Sequence, residues 1–357
     1  MDWSRIVSIS GAYTALLIGG AFATGQEAMQ FFVSHGAGGI VGLGICWVLL
    51  AYSCGSLISA GRRAQLSTNE QAFRYFCGRI VGTGITWYVM VMIVAVYGVM
   101  LAGVGATLQQ AYGLPVMAGT SLMAACTLAT LLLGLQRIVN VLGVMGPGIV
   151  ALTVATAIAT LLDNSTDLSA GLKIASDMDL LRASDSWQFS ALLYVGLALP
   201  GMAGFLPPLG ATLGSKRDAF AVAALGPALF IMAMALVVVA LLGNIKSLQG
   251  AEAPVLVLAT NLFPAFGGMF AAVIFLGIFT TVTPMMWTVC RRFAEDTTPR
   301  YRALAVGLTL LCWIGGNLLP FGQLVNLIYP TVGFVGLFLL ACQIYTDTAR
   351  WARRYKQ

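Results

Sequence analysis

Residues 15–32 read ALLIGGAFATGQEAMQFF, and they carry chemistry that is out of place in the apolar run around them, about 6–33. Gly19, Gly20 and Gly25 are poor helix formers, and Thr24, Gln26 and Glu27 are polar. At membrane depth, backbone leaves the helix only where protein buries it or where it lines a cavity. This stretch is therefore expected to be a helix broken at about 19–25. A break exposes carbonyls at one half-end and N–H groups at the other, with partial charges of opposite sign. A cation suits the first and a carboxylate the second. Gly20, Ala21, Ala23, Thr24 and Gly25 are the candidate substrate contacts on this break, where glycine lets a ligand approach the backbone.

Glu27 is the one acid of thirteen that falls inside an expected span, and no Lys or Arg lies mid-span to pair with it. An intramembrane ionisable residue marks function by default: Glu27 can bind a coupling cation, carry a proton or meet a substrate amine. Thr24-x-x-Glu27 also fits a capping box that merely starts the second half-helix, and the two roles can coexist. A second stretch, 191–209, reads ALLYVGLALPGMAGFLPPL. At one constant offset, Ala15, Leu16, Leu17, Gly20 and Gly25 align with Ala191, Leu192, Leu193, Gly196 and Gly201. Paired interruptions in two halves point to a transporter binding site, which adds Gly196, Leu199, Gly201 and Gly204 as contacts. Close helix packing through small residues is the alternative. Among the aromatics, Tyr194 and Phe205 flank this second stretch, and Tyr97 and Phe205 are the preferred wall and gate.

The elements that hold these residues are membrane helices. The chain of 357 residues is 59% hydrophobic and 9% charged, with mean hydropathy +0.89, where a soluble domain carries about 25% charged residues. Spans need roughly 20 apolar residues. They are expected at about 6–33, 38–61, 80–110, 115–135, 140–162, 187–214, 219–243, 266–290, 303–319 and 323–346. With the N-terminus in the cytoplasm, all but Lys173, Arg182 and Lys246 of the 19 basic residues fall on the cytoplasmic side, as the positive-inside rule requires. This placement also accounts for the net charge of +6 without nucleic acid. Both termini are then cytoplasmic, and five spans per half make the halves inverted repeats, about 6–162 and 187–346, within one membrane domain.

Between the spans, residues 65–79 are expected to form a surface helix, and 251–266, with Pro254 and Pro264, an external cap. Residues 163–186 form an external loop with five aspartates, and 347–357 a basic cytoplasmic tail near headgroups. The seven cysteines show no metal-like spacing and are read as free packing residues. Oligomeric state is not legible.

The run GGAFATGQEAMQFF resembles the opening helix of YkvI-type bacterial membrane proteins, whose first span carries a similar G-x-F-A-[ST]-G-Q-E pattern. Through them the chain resembles the amino acid–polyamine–organocation transporter superfamily, with the LeuT-type inverted-repeat fold. The resemblance implies an all-α membrane protein of about ten spans with helices 1 and 6 broken, in the bacterial inner membrane. It supplies no cargo. In sodium-coupled relatives, hydroxyls on the eighth span join carbonyls of the first break to hold Na⁺. Here Thr280 and Thr281 match those hydroxyls, with Gly20 and Ala23 on the break. The function expected is secondary active transport of a small amino-acid-like or organic-cation solute, coupled to Na⁺ or H⁺ by alternating access. No GxxxxGK[ST] motif is present and no organic cofactor is expected. A transporter-like sensor and a passive channel are the alternatives; an enzyme would need an acid–base cluster that one histidine, His35, and one intramembrane acid do not supply.

Overall fold

In hydrocarbon every backbone N–H and C=O must find a partner within the protein, and helices provide it segment by segment. The structure, a computed structural model, describes residues 2–133, 139–163, 166–296 and 298–354. Arg137 and the tail residues 355–357 lie outside the described residues, as do the side-chain surroundings of Gly20 and Ala21. Fifteen helices and no strand occur among the described residues. They are α1 (Trp3–Leu17), α2 (Gly20–Thr24), α3 (Gln26–Phe31), α4 (Ala37–Ala64), α5 (Asn69–Cys77), α6 (Arg79–Tyr112), α7 (Val116–Leu133), α8 (Val139–Leu162), α9 (Leu168–Ile174), α10 (Trp187–Ala211), α11 (Lys216–Gly243), α12 (Pro254–Leu262), α13 (Pro264–Phe293), α14 (Pro299–Gly316) and α15 (Phe321–Arg354).

Seven of these, α4, α6, α7, α10, α11, α13 and α15, are long and apolar enough to cross a membrane. The other expected spans correspond to the α1–α3 series, to α8 and to α14. Helices five spans apart pack on each other: α1 on α10, α4 on α11, α6 on α13 and α7 on α14. Such pairing of counterparts is what a two-fold arrangement of repeats produces.

The two expected interruptions come out differently. The first is a real break, described below. The second is not an interruption, because α10 runs unbroken from Trp187 to Ala211 with Pro200, Pro207 and Pro208 inside it. Proline has no N–H, so the carbonyls of Gly196, Ala203 and Gly204 lose their helical partners while the helix continues. Gly196 serves packing: a Cβ there would overlap the Gly333 carbonyl of α15, and one on Gly336 would overlap the Gly196 carbonyl. Gly204 fits against Asn69 of α5. Small residues let these backbones touch, so the packing alternative holds at both positions.

The gaps acquire structure too. The surface helix is α5, capped by Thr68, whose hydroxyl accepts from Gln71 N (3.2 Å). Its Glu70 pairs with Arg74 (2.5 Å) and with Arg292 at the end of α13 (2.9 Å). We call this end, with Arg62, Arg63, Arg74 and Arg292, the basic end. At the opposite, acidic end lie α9 and the expected cap, realised as a 3₁₀ turn (Ile245–Leu248) and α12.

Alanine at Gly336 is expected to lower the melting temperature of the purified protein by several degrees, because its Cβ meets backbone that cannot yield. Alanine at Gly307, where a Cβ meets nothing within 4 Å, should leave it unchanged or raise it, since glycine costs a helix interior about 0.5–1 kcal/mol. Equal melting temperatures for the two variants would contradict the α10–α15 seam.

Candidate functional site

The break begins where α1 ends. Ile18 N donates to Thr14 O (2.9 Å), and Gly19 is extended (ψ −175°). The last carbonyls of α1 are thereby left for other partners. After the five residues of α2, Gly25 takes the left-handed conformation at φ +83°, which L side chains reach at a cost of about 1–2 kcal/mol. A Cβ on Gly25 would also stand 2.6 Å from Val255 Cγ2 of α12. Gly25 is therefore fixed twice over, by its backbone and by the cap that packs on it.

That left-handed turn rules out the capping box. Thr24 closes α2 instead of capping α3, and its hydroxyl accepts from Gln26 N (3.3 Å). The Glu27 carboxylate is left free to face α10, where the Tyr194 hydroxyl donates to it (3.5 Å). Tyr329 of α15 also lies within electrostatic reach of Glu27. The Tyr329 hydroxyl and the Gln26 side-chain oxygen are buried with no hydrogen-bond partner among the described residues. Buried polar atoms nearly always have partners, so this spot has hydrogen-bonding capacity to spare. Aromatic rings wall it: Tyr194 meets Phe31 (5.2 Å) and Phe32 (5.0 Å) edge-on and stacks on Phe230 (6.3 Å), which in turn packs on Phe22 (6.4 Å).

On the other side of the break stands α13. Gly19 lies against Thr281, since a Cβ on it would be 3.6 Å from the Thr281 hydroxyl. The hydroxyls of Thr280 and Thr281 both donate to Gly277 O (2.9 and 3.0 Å), the ordinary habit of threonine in membrane helices. Their lone pairs remain available. Pro284 has no N–H, so the Thr280 carbonyl also lacks a helical partner. Oxygen ligands of this kind suit a hard cation. Ala23 is fully buried in α2 and its N–H donates to Gly19 O (3.4 Å).

The remaining expected residues disperse. Tyr97 is buried, with its hydroxyl toward Thr127 of α7 and Thr309 of α14. Leu199 is fully buried. Gly201 is exposed and a Cβ on it would meet nothing within 4 Å. Phe205 lies eleven residues beyond Tyr194 on α10, about 16 Å along the helix, near the α5 contact. It does not join the Glu27 group.

Sequence reasoning missed the polar cluster that closes this site toward the acidic end. Gln30 of α3 is its hub. Its side chain donates to Gly322 O (2.7 Å) and accepts from Asn326 (3.2 Å), and its carbonyl accepts from Ala183 N (3.2 Å). Asn326 also donates to Arg182 O (2.6 Å). Glu252 accepts from Gly322 N (2.6 Å), and Gln110 of α6 exchanges two bonds with Ala253 (3.0 and 3.2 Å). The loop 163–186 is thus tied into the bundle. Gln30 and Asn326, each a polar residue inside an expected span, were the available signals.

No family model matches the chain. The uncharacterized membrane protein YkvI of Bacillus subtilis is 19% identical over 338 residues, covering 95% of both chains. Among solved structures, the inward facing conformation of Mhp1 has a TM-score of 0.58 at 14% identity, over 95% of this chain and 75% of that one. A mutant of the Eremococcus coleocola manganese transporter gives 0.56 at 14% identity, over 94% and 77%. The fold is the LeuT fold, which these neighbours share.

Gly25→Ala is expected to destabilise the protein by at least the ~1–2 kcal/mol of a left-handed residue, read as a lower melting temperature. Adding Val255→Ala should recover the crowding part of the loss and leave the backbone part. An unchanged melting temperature for the single variant would show that the turn is not needed.

Proposed function

We propose that the protein is a secondary active transporter of a small solute bearing a positively charged amine, amino-acid-like or an organic cation. The observation that carries this reading is Glu27. A carboxylate without a basic partner sits on a broken helix beside two tyrosines, unsatisfied polar atoms and a wall of aromatic rings. An amine supplies the missing positive charge and the missing donors, and ring faces attract cations by about 0.5–2 kcal/mol. Support for transport comes from the fold, since structural neighbours include a manganese transporter. A transition-metal cargo is not favoured here. Among the described residues no three of His, Cys, Asp and Glu come together as ligands.

The coupling ion of this reading is Na⁺ or H⁺. For Na⁺, the ligands would be the Thr281 and Thr280 hydroxyls with carbonyls of the break, those of Gly20 and Ala23 among them. For H⁺, Glu27 is the carrier. Alternating access comes from rocking of the helix bundle that contains the first and sixth spans against the rest of the repeats at about 6–162 and 187–346. The basic end faces the cytoplasm of a bacterial cell, and the Gln30 cluster closes the outer end.

Two measurements test this. In proteoliposomes with imposed sodium or proton gradients, screened with amines and amino acids, the wild type should accumulate a cationic solute and Glu27→Gln should lose that uptake while melting normally. Uptake by Glu27→Gln at the wild-type rate would remove Glu27 from the mechanism. Separately, a ligand that binds only the folded state raises its stability by about 2.7 kcal/mol at one hundred times its Kd. Sodium in place of potassium should therefore raise the melting temperature of the wild type and not of Thr281→Val. A rise that persists in Thr281→Val would put the sodium site elsewhere.

A further inference from the structure

Glu252 stands just before α12, half-buried, in the cluster that closes the acidic end. Its carboxylate accepts from the N–H of Gly322 (2.6 Å), the second residue of α15. First-turn N–H groups have no helical partner, and the dipole of this helix of 34 residues favours an acceptor there. The carbonyl of the same Gly322 accepts from Gln30. A Cβ on Gly322 would stand 2.6 Å from the Gln26 amide nitrogen and 3.3 Å from Glu252 Oε2. Gly322 is thus held on both faces, by α3 and by the cap, within reach of the residue that precedes Glu27.

Among the described residues, the elements packed around Glu252 bring no countercharge to it. The last turn of α6 offers neutral Gln110, bonded to Ala253. Neither α12 nor the first turn of α15 contains a charged residue. From α3, Glu27 turns to Tyr194. In the loop after α9, Arg182 donates its guanidinium to Ser176 O and acts on His35. Lys246 of the 3₁₀ turn acts on Asp167. Burial therefore dominates and pushes the Glu252 carboxyl above its ordinary value of 4.5, against the smaller opposing pull of the Gly322 N–H.

We propose that Glu252 is a proton-controlled latch on the outer end: its neutral carboxyl holds α12 and α15 together, and its ionisation favours their separation. A protonated carboxyl still offers its carbonyl oxygen to Gly322 N–H and escapes the cost of burying a charge. Once the end opens, Glu252 returns to water and to its ordinary value. The closed state binds the proton more tightly, so protonation stabilises closure. That stabilisation is complete below the ordinary carboxyl value and is lost as pH rises through the raised closed-state value. External acid therefore closes this end. The latch rests on reading the cluster as a gate.

Three latch amides report on it directly, those of Ala183, Ala253 and Gly322, each bonded across the cluster. Hydrogen exchange of the purified full chain, corrected for intrinsic rates and followed from about pH 4.5 to 8, reads their protection. In the wild type, protection in peptides containing these residues should fall as pH rises, by up to tenfold per pH unit for one titrating group, and then level off. Glu252→Gln, with a neutral side chain that still accepts from Gly322 N–H, should keep high protection at every pH. Flat protection in the wild type, protection that grows with pH, or an unchanged slope in Glu252→Gln would overturn the latch. If Glu252→Gln does not fold, the wild-type profile alone decides. Exchange is read without solute or gradient, so a failed uptake assay leaves the latch standing, and flat exchange leaves the uptake reading standing.

Discussion

The rest of the molecule follows from one constraint: polar backbone may not face hydrocarbon unpaired. A helix broken in mid-membrane must be wrapped by protein, and whatever wraps it inherits its free carbonyls and N–H groups. Around the α2 segment that wrapping is done by α6, α8, α12 and α13, with Phe230 of α11 packed on Phe22. The cap helix α12 is part of it, because Val255 fills the space beside Gly25. The site is thus a consequence of the break, and its residues are those that happen to face it.

Prolines extend the same logic without breaking further helices. Pro200 in α10, Pro284 in α13 and Pro330 in α15 each withhold one N–H, which frees the carbonyls of Gly196, Thr280 and Asn326. The free carbonyl at Thr280 is beside the Thr281 hydroxyl that touches the break. The one at Asn326 is in the Gln30 cluster. Helices that stay continuous remain stiff, and a stiff helix with one free carbonyl can offer a ligand an oxygen without the entropy of a loop. This division of labour explains why the first segment needs three glycines and a left-handed turn while α10 keeps its helix.

The sequence showed the first break because glycine and polar residues interrupt an apolar run, a signal local to a dozen positions. Span order was legible for the same reason, since apolar length is a local property. The second break was misjudged at Gly196 because glycine in a membrane helix has two uses, ligand approach and backbone contact, and only the neighbour decides between them. That neighbour is Gly333, far along the chain. Tyr97 was assigned to the site from its span alone, whereas its facing direction depends on how α6 turns between α7 and α14. Tyr329, Gln30, Asn326 and Glu252 were invisible as a group, because each is an ordinary polar residue until α3, α12 and α15 meet. Glu27 was legible as an anomaly, but its release from the capping box depends on the φ of Gly25.

The two ends of the molecule are held by different chemistry, and the difference bears on how they open. The basic end is tied by charge pairs on α5, Glu70 with Arg74 and Arg292. Exposed pairs of this kind contribute about 0–1 kcal/mol and weaken with salt. The acidic end is tied mainly by neutral amide and backbone bonds through Gln30, Gly322 and Asn326, each worth about 0.5–1.5 kcal/mol net. Opening exchanges them for bonds to water, so a handful of them sums to a few kcal/mol. Inverting a two-state population from 1:99 to 99:1 takes about 5.5 kcal/mol of differential binding, which is the scale a ligand would have to supply to shift such a balance. A latch of that strength holds without a ligand and can still be moved by one. A wall of buried ion pairs at the same place would be harder to shift, because each separated charge would have to be resolvated or neutralised. Glu252 is the acid of the acidic-end cluster whose carboxylate bonds across it to α15, and in the proposed latch that makes it the point where a proton can tip a balance otherwise set by neutral bonds.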